Sequence, residues 1–158
     1  MRPLSDAEES ALAKRREEFD AFIEGTMEDL SEFADSLGLS NPHMIIVDPV
    51  AYIEPIGQFI RDQVIESEDV TWLTMCIGFF IGEVLNQRLG GCWHINEWPD
   101  TRYFLRFVVG RFRGGTGGST MVDPIEAAAA FVAAPPGRDL ERLINEVTDE
   151  CQHQMERH

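Results

Sequence analysis

Two Cys-x-His pairs, Cys92-x-His94 and Cys151-x-His153, are the residues of this chain whose types and spacing most directly suggest chemistry. Thiolate and imidazole both ligate zinc, and a strand puts residues two apart on one face, so the first pair suits half of a four-ligand site. The second pair does not. A helix turns residues two apart toward nearly opposite sides, and Cys151 falls on an apolar stripe. No metal or other cofactor is expected. Candidate nucleophiles are Cys92 beside His94, and Ser119 and Thr120 beside arginines, but no nucleophile, base and orienting acid stand at a recognisable spacing. The glycine-rich run Arg113 to Thr120, RGGTGGST, invites a phosphate-loop reading, yet it lacks the lysine after its last glycine and follows no strand-to-helix path. It reads as a hairpin turn leading into a short strand at Ser119 to Val122.

Glu83 is the one ionisable residue within an apolar run, so its burial calls for a partner such as an arginine, an indole N–H or loop amides. It is either a general acid or base, or a structural carboxylate that pins the glycine turn or the strand after it. Arg102, Arg106, Arg111 and Arg113 form the single positive concentration and could make forked contacts to carboxylate or phosphate groups. They could equally neutralise acidic helices of the same fold. With His94, these residues make up the candidate ligand- or partner-binding set. No catalytic residue is assigned.

The elements that would position this set are organised around Val70 to Trp98. From Val70 to Leu85 apolar residues occupy nearly every helical face, the pattern of a helix surrounded by protein, with polar interruptions that argue against a membrane span. Gly78 and Gly82 lie four apart on one face and allow another backbone to approach. Gly90 or Gly91 ends the helix in the left-handed conformation, and Cys92 to Glu97 alternates as a strand with Trp93 and Ile95 inward. A turn at Trp98 to Thr101 leads to a second alternating run, Arg102 to Val109, which predicts an antiparallel hairpin. A bulge at Gly110 would bring Arg111 and Arg113 to the face of Arg102 and Arg106.

Upstream, Ser5 and Glu8 make a capping box, and Leu12, Phe19, Ile23, Met27, Leu30, Ala34 and Leu37 form one stripe. A kink or break is expected at Gly25 and Thr26, and a stop at Gly38. His43 to Val47 reads as an extended segment or buried loop, and Asp48 with Pro49 as a helix start. Pro55 moves the main helix to about residues 56–66, with Phe59, Val64 and Ile65 inward. Downstream, Asp123, Pro124 and Glu126 cap a helix over residues 124–134. A last helix from Asp139 carries Leu140, Leu143, Ile144, Val147, Cys151 and Met155 inward and frays near Arg157 and His158.

The chain has 158 residues, 44% of them hydrophobic, and a formal net charge of −15, which fits one domain with a full core. Residues 1–37 carry eleven carboxylates against four basic side chains, whereas residues 99–118 carry four arginines against one aspartate. Such a surface repels nucleic acid and anionic membranes and steers toward a basic partner; plain solubility is the alternative. Three widely spaced cysteines, with no signal peptide or spanning segment, place the chain in the cytoplasm.

The run IGFFIGEVLNQRLGGCWHINEW resembles a pattern of small uncharacterised bacterial proteins: a glycine-bearing helix ending in Gly-Glu-Val, a glycine turn and a tryptophan strand. The matching residues are Gly78, Gly82, Glu83, Val84, Gly90, Gly91 and Trp93, with Asp123-Pro124 opening a later helix. The resemblance covers about residues 45–145 and carries no functional residue. Some such proteins resemble immunity proteins against bacterial toxins.

The expected fold is therefore α+β, a small antiparallel sheet of three or four strands packed against several helices. Within the single domain 1–158, residues 1–37 and 38–90 are helical, 91–122 form the sheet and 123–158 are helical again. The expected function is a non-enzymatic protein-binding module, an immunity-like inhibitor of a basic partner, with homodimerisation through the N-terminal helix as a further hypothesis. The alternative is a small-molecule binder or enzyme with a pocket between sheet and helices.

Overall fold

A computed structural model describes residues 2–115 and 120–156, and it has the expected α+β architecture. Six helices, α1 (Asp6–Ser36), α2 (Met44–Val47), α3 (Ile53–Arg61), α4 (Val70–Leu89), α5 (Pro124–Ala133) and α6 (Leu140–Glu156), surround three strands. The strands β1 (Cys92–Ile95), β2 (Phe107–Gly110) and β3 (Met121–Val122) form an antiparallel sheet in the order β1-β2-β3.

The apolar residues of α4 predict its role, and eleven of its residues are buried. Its two close-packing glycines receive different neighbours. At Gly78 a side chain would meet the α5 backbone, with the Ile125 Cα 2.9 Å from an added Cβ; at Gly82 it would meet the Trp93 indole. Trp93 lies flat on Phe79 of α4, with ring centroids 5.4 Å apart at 5°, and edge-on to Phe22 of α1 at 5.4 Å. Phe22 in turn stacks on Phe107 of β2 at 4.4 Å. One indole thus joins α1, α4 and the sheet. Gly90, at φ 68°, ends α4 as expected, and its N–H donates to Asn86 O.

The register sets Trp93 opposite Val109 and Ile95 opposite Phe107, facing the helices. His94 opposite Val108 faces outward. The second strand is shorter than its alternation predicts, because residues 96–106 form a folded connection. Asn96, 2% exposed, holds it: its amide donates to Thr101 Oγ1 (2.9 Å), and its carbonyl side chain accepts from Trp98 N (3.1 Å). Its backbone closes the loop against Leu105 and Arg106. Leu105 at φ 67° and Asp100 at φ 64° are left-handed, a conformation no strand contains. Arg102, Phe104 and Arg106 are therefore loop residues, and the connection is longer than the expected short turn.

Four further expectations are corrected. The first helix is continuous through Gly25 and Thr26, where Thr26 is buried and its hydroxyl donates to the Phe22 carbonyl one turn back. Met44 to Val47 is a short helix rather than an extended segment, followed by a 3-10 turn over Pro49–Tyr52. Asp48 caps nothing with its side chain and instead accepts from Gln87 Nε2 at 2.8 Å. Finally, α3 begins before Pro55, since a first-turn proline needs no N–H donor, and it ends at Arg61. Its early end has a cause: the Arg61 carbonyl is taken by the N–H groups of Gly137 (2.7 Å) and Arg138 (3.0 Å). Val64 is consequently 78% exposed beyond the helix, and Phe59 is also partly open. Residues 116–119 of the glycine-rich run, with Arg157 and His158, lie outside the described residues.

Both capping signals are present. Ser5 accepts from Glu8 N and Glu8 returns the bond, while Asp123 accepts from Glu126 N (3.0 Å). The α6 stripe packs with Leu140 and Ile144 fully covered. Gly82→Ala should lower stability by at least about 2 kcal/mol, because the added methyl must displace an indole packed against Phe79 and Phe22. Gly25→Ala, with no atom within 4 Å of the new methyl, should raise it by up to about 1 kcal/mol. Urea melts of the two variants check this, and equal effects would show that the Gly82 notch is not a packing constraint.

Candidate functional site

The six predicted site residues do not form one site. Glu83, adjacent to the Gly82 notch, accepts from Trp93 Nε1 at 3.2 Å, so the carboxylate completes the indole's only donor. Burial pushes its carboxyl above the ordinary value, and the indole bond partly opposes that shift. The geometry is that of a structural carboxylate pinning the strand. Arg102 and Arg106 both pair with Glu126 at the start of α5, and Arg106 also reaches the cap residue Asp123 at 3.1 Å. These two guanidinium groups are engaged with the N-terminal turn of a helix of their own fold. Arg111 lies at the other end of β2 at φ 55°, and Arg113 packs against Gly90 while its N–H donates to Leu89 O (2.9 Å). The expected common face of four arginines is not formed.

His94 and Arg111 do come together. With Ile95, Asn96, Glu97, Trp98 and Met121 they line a cavity of about 240 Å³ on the outer face of the sheet. Burial lowers the His94 imidazole below its ordinary value and Arg111 acts in the same direction, although the Cys92 carbonyl opposes it. The ring is therefore neutral at pH 7. The space between sheet and helices, where a pocket was expected, is filled by Trp93, Phe22, Phe79 and Phe107. Cys92 is exposed, whereas Cys151 is buried under α6 with its thiol pushed up to about 11. Among the described residues no three His, Cys, Asp or Glu side chains are grouped to hold a metal ion, and no helix is long and apolar enough to cross a membrane.

Three of the four basic residues of the N-terminal region, Arg2, Arg15 and Arg16, also serve the fold. Arg15 donates to the Leu105 carbonyl (2.8 Å) and lies 4.0 Å above the Phe107 ring; Arg16 pairs with Glu97 at 2.6 Å; Arg2 bridges Glu8 and Asp100. Together they fasten the β1–β2 connection to α1. In sequence they read only as an interruption of an acidic face. That interruption was the available signal for the contact.

At the opposite end of α1 the surface has another character. Phe33 of α1 meets Phe59 of α3 (5.9 Å) and Trp72 of α4 (5.7 Å) edge-on, forming the floor of an open groove of about 230 Å³. Phe59, Val64 and Trp72 are 37%, 78% and 39% exposed. Segments 29–36 and 62–75, which build the groove, contain seven carboxylates and no lysine or arginine. None of the seven belongs to an ion pair among the described residues. Asp29 and Glu32 face α4 closely enough to act with burial in raising the Cys76 thiol to about 12. The sequence reading placed Phe59 and Val64 in the core and so missed this surface; the dense acidic turn Glu66 to Asp69 was its visible trace.

The raised Glu83 value sets a pH dependence with a definite sign. A carboxyl that holds its proton more tightly in the folded than in the unfolded chain contributes stability below the ordinary value near 4.5, and that contribution is lost as pH rises through the folded value. Glu83→Gln keeps an acceptor for the indole and removes the titration. Its melting temperature relative to the parent should therefore rise between about pH 4 and pH 7. A difference constant across that range would assign Glu83 an ordinary carboxyl.

No protein-family model, curated protein or solved structure matches this chain.

Proposed function

We propose that this protein is a non-enzymatic binding module of the bacterial cytoplasm that holds a basic protein partner, acting by occlusion in the manner of an immunity-like inhibitor. The observation that supports this reading is the partition of charge. Among the described residues six arginines form ion pairs within the fold, two of them fastening α5 and two fastening the β1–β2 connection. The seven carboxylates around the aromatic groove have no such partners among the described residues. A net charge of −15, with these seven carboxylates at the groove end, attracts a cationic surface there and repels nucleic acid and anionic lipid. Self-association through α1 is disfavoured by the same charge, since its outer face would meet its own carboxylates.

A second reading has one specific observation behind it. The neutral His94 beside Arg111 and exposed Trp98 could receive a small anion with a planar apolar portion.

Native mass spectrometry of the protein isolated from its host at low salt tests both. The expected result is a stoichiometric complex with a basic protein, weakened at least tenfold between about 50 and 200 mM salt. A retained small-molecule mass that disappears in Arg111→Ala would replace the binding-module reading with the second. A bare monomer at low salt would count against both.

A further inference from the structure

We infer that the groove between α1, α3 and α4 is the anchor site of that partner, and that it takes a bulky apolar side chain projecting from a cationic segment. This inference rests on the binding-module reading and names where and how the partner is held. Three observations lead to it. The floor is aromatic, with Phe59 and Trp72 set edge-on to the buried Phe33, so the groove offers ring faces and edges rather than polar groups. Its volume of about 230 Å³ accommodates one large side chain with part of a second, not a folded domain. Glu66 and Asp69 line the groove, and the α1 segment that supplies Phe33 and Ser36 to it also carries Asp29, Glu32 and Asp35.

Apolar floor and anionic rim together select the occupant. A hydrophobic anchor alone would leave the surrounding carboxylates facing uncharged surface. A cationic segment without an anchor would leave Val64 and Trp72 in water. A second copy of this chain would bring seven carboxylates against seven, a like-charge juxtaposition that opposes closure. A segment with lysine or arginine flanking a Phe or Leu satisfies both parts, placing its apolar side chain among the rings and its charges over the rim.

The inference is tested with two synthetic peptides of equal charge, one carrying a Phe-Leu pair between lysines and the other carrying Ala-Ala, titrated by fluorescence anisotropy at low salt. The Phe-Leu peptide should bind at least tenfold more tightly. Trp72→Ser and Val64→Ser should each remove most of that advantage, and Trp98→Ser, an equally exposed tryptophan elsewhere, should leave it intact. Val64→Ser guards against misfolding, because this side chain is already largely in water. Equal binding of both peptides, unaffected by these variants, would overturn the anchor site while leaving an acidic surface that binds cations. Failure of both peptides to bind would overturn the anchor and the basic-partner reading together. A concentration-dependent dimer abolished by Trp72→Ser would show that a second copy covers the groove, which also overturns the inference.

Discussion

Trp93 can lie against α4 only because residue 82 has no side chain. The indole is stacked on Phe79 and met edge-on by Phe22, and its N–H is satisfied by Glu83, so one residue is fixed by aromatic packing and by a hydrogen bond at its polar edge. Burying an indole N–H without an acceptor would cost roughly 1–3 kcal/mol, which explains a carboxylate in an otherwise apolar helix face. From this contact the register of β1 follows. Trp93 opposite Val109 turns Phe107 toward Phe22 and α1, and it leaves His94 outside. A shift of one residue would put His94 into the notch and expose the tryptophan.

The far side of α4 depends on a second constraint, the buried guanidinium of Arg138. It is 7% exposed and donates to the carbonyls of Phe131, Val132, Ile60 and Gln63, which lie at or just beyond the C-terminal ends of α5 and α3. Helix C-termini leave carbonyls without intrahelical partners and concentrate negative potential there. One planar cation with five donors answers two such ends at once, a geometry that a lysine cannot reproduce. The segment after α5 is thereby held against the end of α3, and α6 starts from a fixed point with Leu140 over Gly57.

Much of this organisation was readable in the residues, and the failures share a cause. The buried α4, its glycine stop, the inward Trp93, the N-caps at Ser5 and Asp123 and the α6 stripe are local signals, each determined by neighbours within a few positions. Arg102 to Val109 alternates as a strand should, yet Asn96 folds residues 96–106 into a loop through bonds that alternation does not encode. Val64 fits the α3 stripe, but α3 is ended by Gly137 and Arg138, more than seventy positions away in the chain. The arginine group was visible as a charge reversal; that Arg102 and Arg106 would turn to Glu126 and Asp123 depends on β3 running back beside β2. Long-range capture of backbone and charge is what single-sequence periodicity cannot supply.

These captures also shape the electrostatics. Arg2, Arg16, Arg102 and Arg106 neutralise carboxylates near the sheet and the start of α1, whereas the seven carboxylates around the groove have no ion-pair partner among the described residues. That region is also where α3 ends early and exposes Phe59 and Val64 beside Trp72. The Arg138 segment ends α3, and its guanidinium also holds the Gln63 carbonyl just before the loop that carries Glu66 and Asp69. An exposed aromatic cluster on a soluble surface is unfavourable unless it is covered, and a ring of like charges around it raises the cost of covering it with anything neutral or acidic. The fold therefore restricts contact at this surface by charge before shape is considered. On the binding-module reading proposed above, the partner is cationic to approach and apolar to remain.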